Sequence, residues 1–357
     1  MAEPEQTNDR AEPAEAAEDP REARKRLIRE LREARGSDAL IAYVTSTRPN
    51  AEAMMAMDAV RCFIDHIPDR KVGKLDLFIH TNGGEGTVPW RLINLLRAYA
   101  EKVDVLVPNH ALSAGTLTAL GADEIIMHPM GILGPIDPSV HDPHTTDPQT
   151  GQPFPVSVED VAAYNALVKD DVGIRHEDEL VQAFALLAQK VHPLTLGHAK
   201  RGTAQARMLG EKLLRLRDST AEAHRIESLI DHLTTKLYYH GHPINRREAR
   251  EDLGLHVVDA TPQVEKAMWD LYLDYERQML LNRMFDPIGE AISQPGFALQ
   301  AGQWAMTRLP TMYVAAVESE GRADILEQDL QAGLGLQPDG SITANVTRLR
   351  TEWVTTT

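Results

Sequence analysis

The chain has 357 residues, 43% of them apolar, and a formal net charge of -16. That length is enough for one large or two ordinary domains with a real core. The negative charge argues against nucleic acid held through its phosphates and against a polybasic membrane anchor, since both need clustered Lys and Arg. No run approaches the ~20 apolar residues of a membrane span, and no basic region followed by an apolar block marks a secretory signal, so a cytoplasmic protein is expected.

Residues 1–20 are rich in Ala, Glu and Pro and read as a disordered acidic tail. Residues 21–36 read as a charged helix with a thin apolar stripe (Leu27, Ile28, Leu31) closed by Gly36. A β-like run follows at 39–44, then helical spacing over 51–67, where Met54 and Met55 are expected to fill core gaps. The single cysteine, Cys62, allows neither an intrachain disulfide nor a Cys-based zinc site and is expected to be core filler.

Strands are predicted at 75–80, 103–107 and 124–128. Between them lie helices from Pro89 to about Ala100 and from the Ser113 loop to Leu120. Such alternation indicates βαβ units and a parallel sheet. Residues 129–154 are turn-rich, fitting a substrate loop, an assembly surface or a plain connection. Ser157-Val158-Glu159-Asp160 resembles a helix start, and interrupted helical patterning runs to about Tyr239. His242-Pro243-Ile244 breaks it. A short helix at 245–253, a strand at 255–258, an aromatic-bearing helix at 261–284 and a small antiparallel β-like unit (312–317 and 342–354) complete the chain.

Two loops carry chemistry. Thr81-Asn82-Gly83-Gly84 and Leu112-Ser113-Ala114-Gly115-Thr116 each follow a predicted buried parallel strand, which places both on one sheet edge. A serine needs a base to take its proton, and its attack creates an oxyanion that needs two fixed donors. Backbone N–H groups of Gly83 and Gly84 can approach a substrate closely, and Ala114, just after the serine and at a helix start, offers a second donor. Either loop alone reads as a tight turn or a close-packed helix start. The pair on successive strands points to acyl transfer.

Segments 75–84, 111–117, 121–127 and 133–138 closely resemble the serine dehydrogenase proteinase family, which is similar to signal peptide peptidase A and to the proteolytic subunit of Clp protease, and segments 157–160 and 240–246 look like it too. The resemblance covers roughly 39–258. It implies an α/β Clp/crotonase fold, with a parallel sheet of βαβ units, a helical C-terminal part and a small β-like extension. On this basis the peptidase domain spans 37–260 and the extension 261–357. It also implies Ser113 as nucleophile, Gly84 with Ala114 as oxyanion hole, a peptide or protein substrate, and a homo-oligomer. No Gly-x-Gly-x-x-Gly fingerprint supports dinucleotide binding, and no cofactor is expected.

For the base, the stretch 134–137, matching the Clp histidine, holds no histidine. Lys169 lies at the distance of the signal peptide peptidase lysine, but must lose its proton beside Asp170 and Asp171. His128 and His110 lie on the expected edge and titrate in a useful range. His141 with His144, and His240 with His242, lack the His-Glu-x-x-His pattern of a metal site, and no metal is expected. Alternatives are a crotonase-type acyl-thioester enzyme, which needs no serine, and a non-catalytic scaffold of the same fold.

Overall fold

The computed structural model describes residues 19–137, 139–146, 153–217, 220, 222–236 and 241–356. The acidic tail thus lies outside the described residues up to Ala17-Glu18, as does His240. In chain order the first elements are α1 (Pro20–Arg35), β1 (Ala39–Thr45), α2 (Met57–Phe63), β2 (Val72–His80), α3 (Val88–Tyr99), β3 (Ala100–Val107), β4 (His110–Ala111), α4 (Ala114–Leu120), β5 (Ile125–Met127) and β6 (Ile132–Leu133). Then come β7 (Ser139–Thr146), β8 (Pro153–Ser157), α5 (Val158–Ala166), a π-helical turn (Leu167–Asp171), α6 (Glu177–Ala188), α7 (Pro193–Arg217), α8 (Ala223–Asp231), β9 (Ile244–Asn245) and α9 (Arg246–Glu251). The chain closes with α10 (Pro262–Met279), α11 (Pro287–Ile292), β10 (Trp304–Arg308), β11 (Met312–Ser319), β12 (Arg322–Leu336) and β13 (Ile342–Thr356).

The main sheet has a parallel half and an antiparallel half. Strands β1, β2, β3 and β5 pair in parallel, each beside the last. The antiparallel half, β11, β12, β10 and β13, joins at β1 through β11. The C-terminal unit expected at 312–317 and 342–354 therefore continues the central sheet. The turn-rich stretch after Pro129 contains the β7–β8 hairpin.

Both faces of the parallel half are buried, with period two along each strand, as a covered parallel sheet requires. Ile41, Tyr43, Leu75, Leu77, Ile79, Val103 and Val105 belong to a core shared with α2, α3 and α4 and with parts of α7 and α8. Leu40, Ala42, Val44, Phe78 and Leu106 face a second core supplied by α1 and α10 through Ile28, Leu31, Met268, Leu271 and Tyr275. Pro20 starts α1, with the Asp19 side chain accepting from the N–H of Arg21, and Gly36 ends it in the left-handed conformation at φ 59°.

Two local expectations shift. The helix read over 51–67 forms only from Met57, because the N–H of Met55 donates to Gly83 O and its carbonyl accepts from Glu85 N–H. Met55 is buried, while Met54 is 71% exposed and fills no core gap. Cys62 sits in the first core as expected, and burial pushes its thiol up to about 11, which leaves it inert.

Candidate active site

The edge where the parallel strands end builds the site. Beyond β2, Thr81 N–H donates to His110 O at 2.8 Å, and Leu112 N–H donates to Thr81 O at 3.0 Å. These bonds lay the diglycine loop alongside the strand leading to Ser113. The approach is close: a Cβ on Gly83 would stand 2.7 Å from Ser113 Cβ and 3.2 Å from Ala114 N. Gly83 has φ 106° and Gly84 φ 156°, and a Cβ on Gly84 would run into the backbone of Met55. Only glycine fits at either position.

Ser113 itself has φ 51° and ψ -109°, one of three described non-glycine residues with positive φ. Such a turn costs on the order of 1–3 kcal/mol and persists where its surroundings impose it. Here it stands between a strand and a helix, the setting that lifts a nucleophilic hydroxyl to a sheet edge. Thr116, fully buried, fixes the turn from behind. Its hydroxyl donates to Ala111 O at 2.8 Å or Gly134 O at 2.9 Å, and it accepts from Gly134 N–H at 2.9 Å. Thr116 was part of the motif, but its role as a tie to β6 has no sequence signal.

The amides around the serine are unequal. Gly83 N–H donates to Thr81 Oγ1 at 3.0 Å and is engaged. Gly84 N–H points away from the Met55 bridge, and Ala114 N–H belongs to the first turn of α4. Among the described residues neither has an acceptor. The free pair is therefore Gly84 and Ala114, with Gly83 shaping the gap between them.

The predicted bases sit on different elements and have different partners. Lys169 is solvent-exposed on the π-helical turn, which directly continues α5. His128 stacks flat on Trp269, ring centroids 4.7 Å apart, and its Nδ1 accepts from Met130 N–H at 3.1 Å. Burial holds its pKa below the usual histidine value, with Glu265 and Arg246 pulling in opposite directions. His110 Nδ1 meets Asn82 Oδ1 at 3.2 Å, and burial lowers its pKa too. Behind it His80, wholly buried and pushed down to about 3 by desolvation and by His110, accepts from His110 N–H and donates to Thr47 Oγ1. Among the described residues, none hydrogen-bonds Ser113 Oγ, and no cluster of three or more His, Cys, Asp or Glu could hold a metal.

A cavity of about 240 Å³ opens elsewhere, between the end of α10, α11 and the start of β11. Its buried cation, Arg48, is already paired with Glu290 at 2.6 Å and with Arg283 O at 2.9 Å. At the rim, by contrast, the Gly84 and Ala114 amides have no acceptor among the described residues.

Residues 12–147 match the family described as ClpP-like SDH-type serine proteinase. Over that span, under half of the chain, the sequence is similar to this family. The match includes both rim loops. The chain is also similar to two uncharacterized proteins of Methanocaldococcus jannaschii. To MJ0137 it is 31% identical over 205 residues, 57% of this chain and 60% of the relative. To MJ1495 it is 41% identical over 66 residues, 18% of this chain and 23% of the relative. The aligned parts thus span less than two thirds of either relative. No described helix is long and apolar enough to cross a membrane.

Proposed function

We propose that this protein is a serine peptidase that cleaves peptide bonds with Ser113. The observation that carries the reading is the strained Ser113 turn, packed so close to the diglycine loop that a Cβ on Gly83 would stand 2.7 Å from Ser113 Cβ and 3.2 Å from Ala114 N. Ser113 Oγ would attack the peptide carbonyl carbon. The resulting oxyanion would sit between the two N–H groups, which are in place before charge develops. A lysine or histidine at the rim would carry the proton from the hydroxyl to the leaving amine. No cofactor enters the scheme.

We propose further that copies of the chain associate through the helical arm after Ser157. Helix α6 buries no residue, and Val181, Phe184 and Leu186 stand at least half exposed on it, with Leu194 exposed on α7. Such apolar exposure on one arm is unusual for an isolated surface. Phe184→Glu would lower the mass seen in sedimentation if the arm self-associates.

Hydrolysis of a fluorescently labelled, unfolded protein substrate tests the activity. The parent should release peptides, and Ser113→Ala should lose at least 1,000-fold in rate. Equal hydrolysis by Ser113→Ala would remove the serine from the mechanism.

A further inference from the structure

We infer that the cavity beside Arg48 binds a small monocarboxylate with a short aliphatic body, and that Arg48 and Arg283 hold its carboxylate.

Two loops at one end of the sheet build the walls. One leaves the C-terminal end of β1 and runs through Ser46, Arg48 and Ala51, and the other follows α10 through Leu280 and Arg283. They are braced against each other. Phe285 N–H donates to Pro49 O at 2.8 Å, Arg48 Nε donates to Arg283 O at 2.9 Å, and Asn50 Nδ2 donates to Phe285 O at 3.4 Å. Ser46 N–H donates to Val314 O at 2.8 Å, which ties the first loop to β11. The space of about 240 Å³ between these walls is therefore already formed, and a ligand need not order them to bind.

The charges select an anion. Arg48 is 3% exposed, and a guanidinium so deeply buried ordinarily has its N–H groups partnered. Its Nε and Nη2 are engaged, by Arg283 O and by Glu290 at 2.6 Å. Its Nη1 has only the thioether of Met312, at 3.7 Å. A thioether is a weak acceptor, so a charged donor within the cavity wall lacks a strong partner. Arg283 stands exposed on the same lining, and its side chain has no partner among the described residues. Two guanidiniums thus face one carboxylate, Glu290, and one positive charge is left unmatched. The acids next to the lining do not supply the balance. Asp274 pairs with Arg24 and Arg277, Asp329 pairs with Arg350, and Asp286 caps α11 by accepting from Ile288 N–H. In a chain of net charge -16 this local excess has the opposite sign. An excess of one charge matches a monoanion better than a phosphate dianion, and the planar fork of a guanidinium matches a carboxylate.

The rest of the lining sets the body of the ligand. Met279, Leu280, Pro310, Met312 and Val314 supply an apolar wall. The hydroxyls of Ser293 and Thr311 and the amide of Gln294 already donate to the protein, so a sugar would find few partners. The volume is below the about 300–1,000 Å³ of sites for drug-sized ligands, which limits the body to a short chain.

Titration calorimetry on the full chain tests the site. The probe is isovalerate, compared with isoamylamine, which replaces the carboxylate by an ammonium, and with inorganic phosphate. Isovalerate should bind with a Kd of about 1 mM, and the other two should bind about tenfold more weakly or not at all. Arg283→Gln removes an exposed side chain without partners, so it should fold as the parent does and weaken isovalerate about tenfold. Arg61→Gln, an exposed arginine on α2, should leave the affinity unchanged. Arg48→Lys keeps the charge but loses the fork and should abolish binding. If its thermal melting shows that it does not fold, Arg283→Gln decides. The site is overturned by an absence of heat from isovalerate at about 10 mM. It is equally overturned by amine or phosphate binding as tightly as isovalerate, by an affinity unmoved in Arg283→Gln, or by an equal loss in Arg61→Gln.

Discussion

Polar groups are handled in opposite ways at the rim and beneath α1. At the rim, Gly84 and Ala114 hold amides with no acceptor among the described residues, and Ser113 adopts a backbone that a serine ordinarily avoids. Beneath α1 the charged groups are more deeply buried and lie in ion pairs. Arg24 meets Asp274 at 3.2 Å and also pairs with Glu318 Oε2, the same oxygen that accepts from the Tyr275 hydroxyl at 2.6 Å. Arg35 bridges Asp76 at 3.0 Å and Asp104 at 2.9 Å. Both regions depart from an apolar core, but one keeps its hydrogen-bonding capacity in reserve and the other spends it on holding a helix to the sheet. The free donors beside a strained side chain are what the proposed chemistry would use; the buried ion pairs hold α1 to the sheet.

The joint should break first on the stability scale. Glu318 is fully buried, and its removal in Glu318→Ala leaves Arg24 with one carboxylate and Tyr275 with no acceptor. Breaking a buried pair by deleting one partner costs about 3–5 kcal/mol. Urea unfolding should show that loss, while Ser113 labelling by a fluorophosphonate probe in the folded fraction stays near the parent rate. A large drop in labelling would show that the two regions are coupled.

The rim should fail in the reverse manner. Gly83→Ala puts a methyl 2.7 Å from Ser113 Cβ at a φ of 106°, so the gap beside Ala114 must close or the loop must move. We expect labelling to fall about 100-fold, equivalent to about 2.7 kcal/mol of barrier. The melting temperature should move by only a few degrees, since strain of this kind costs about 1–3 kcal/mol. Labelling unchanged with stability reduced would mean that the diglycine bend serves packing alone.

How much of this is legible in the sequence follows the same division. The parallel strands were readable because both faces are buried, so Leu77-Phe78-Ile79 and Val105-Leu106-Val107 read as unbroken apolar runs. The two rim loops were readable because glycine and small residues punctuate strand ends. By contrast β12 was not, since Glu327, Gln328, Asp329, Gly333 and Gly335 are poor strand formers. It forms because β13 pairs along its length on one side while β11 and β10 share the other. The φ of Ser113 has no sequence signature, being imposed by its neighbours. The cavity at Arg48 was hidden because its two walls meet across 235 residues, as the bond from Arg48 to Arg283 O shows, and no local spacing encodes such a contact.

The smallest effect separates the two regions by pH. Burial and the neighbouring Asp76 raise the Asp104 carboxyl to about 6, against the pull of Lys102 and Arg35. In the unfolded chain the same group titrates near 4. Between these values the folded protein holds a proton that the unfolded chain releases. The contribution is therefore most favourable at acid pH and is lost as pH rises from about 4 through about 6. The whole shift corresponds to about 3 kcal/mol, of which about 2 kcal/mol falls between pH 4.5 and 7.5. Asp104→Asn cannot titrate, so its stability relative to the parent should rise by up to that amount between pH 4.5 and pH 7.5 in urea unfolding. Arg35 keeps Asp76 in either case, which limits the damage from the lost charge. A difference that stays flat across that window would mean the Asp104 carboxyl is ionised throughout. The acids beneath α1 would then be held entirely by their cations, and the joint would carry no memory of pH.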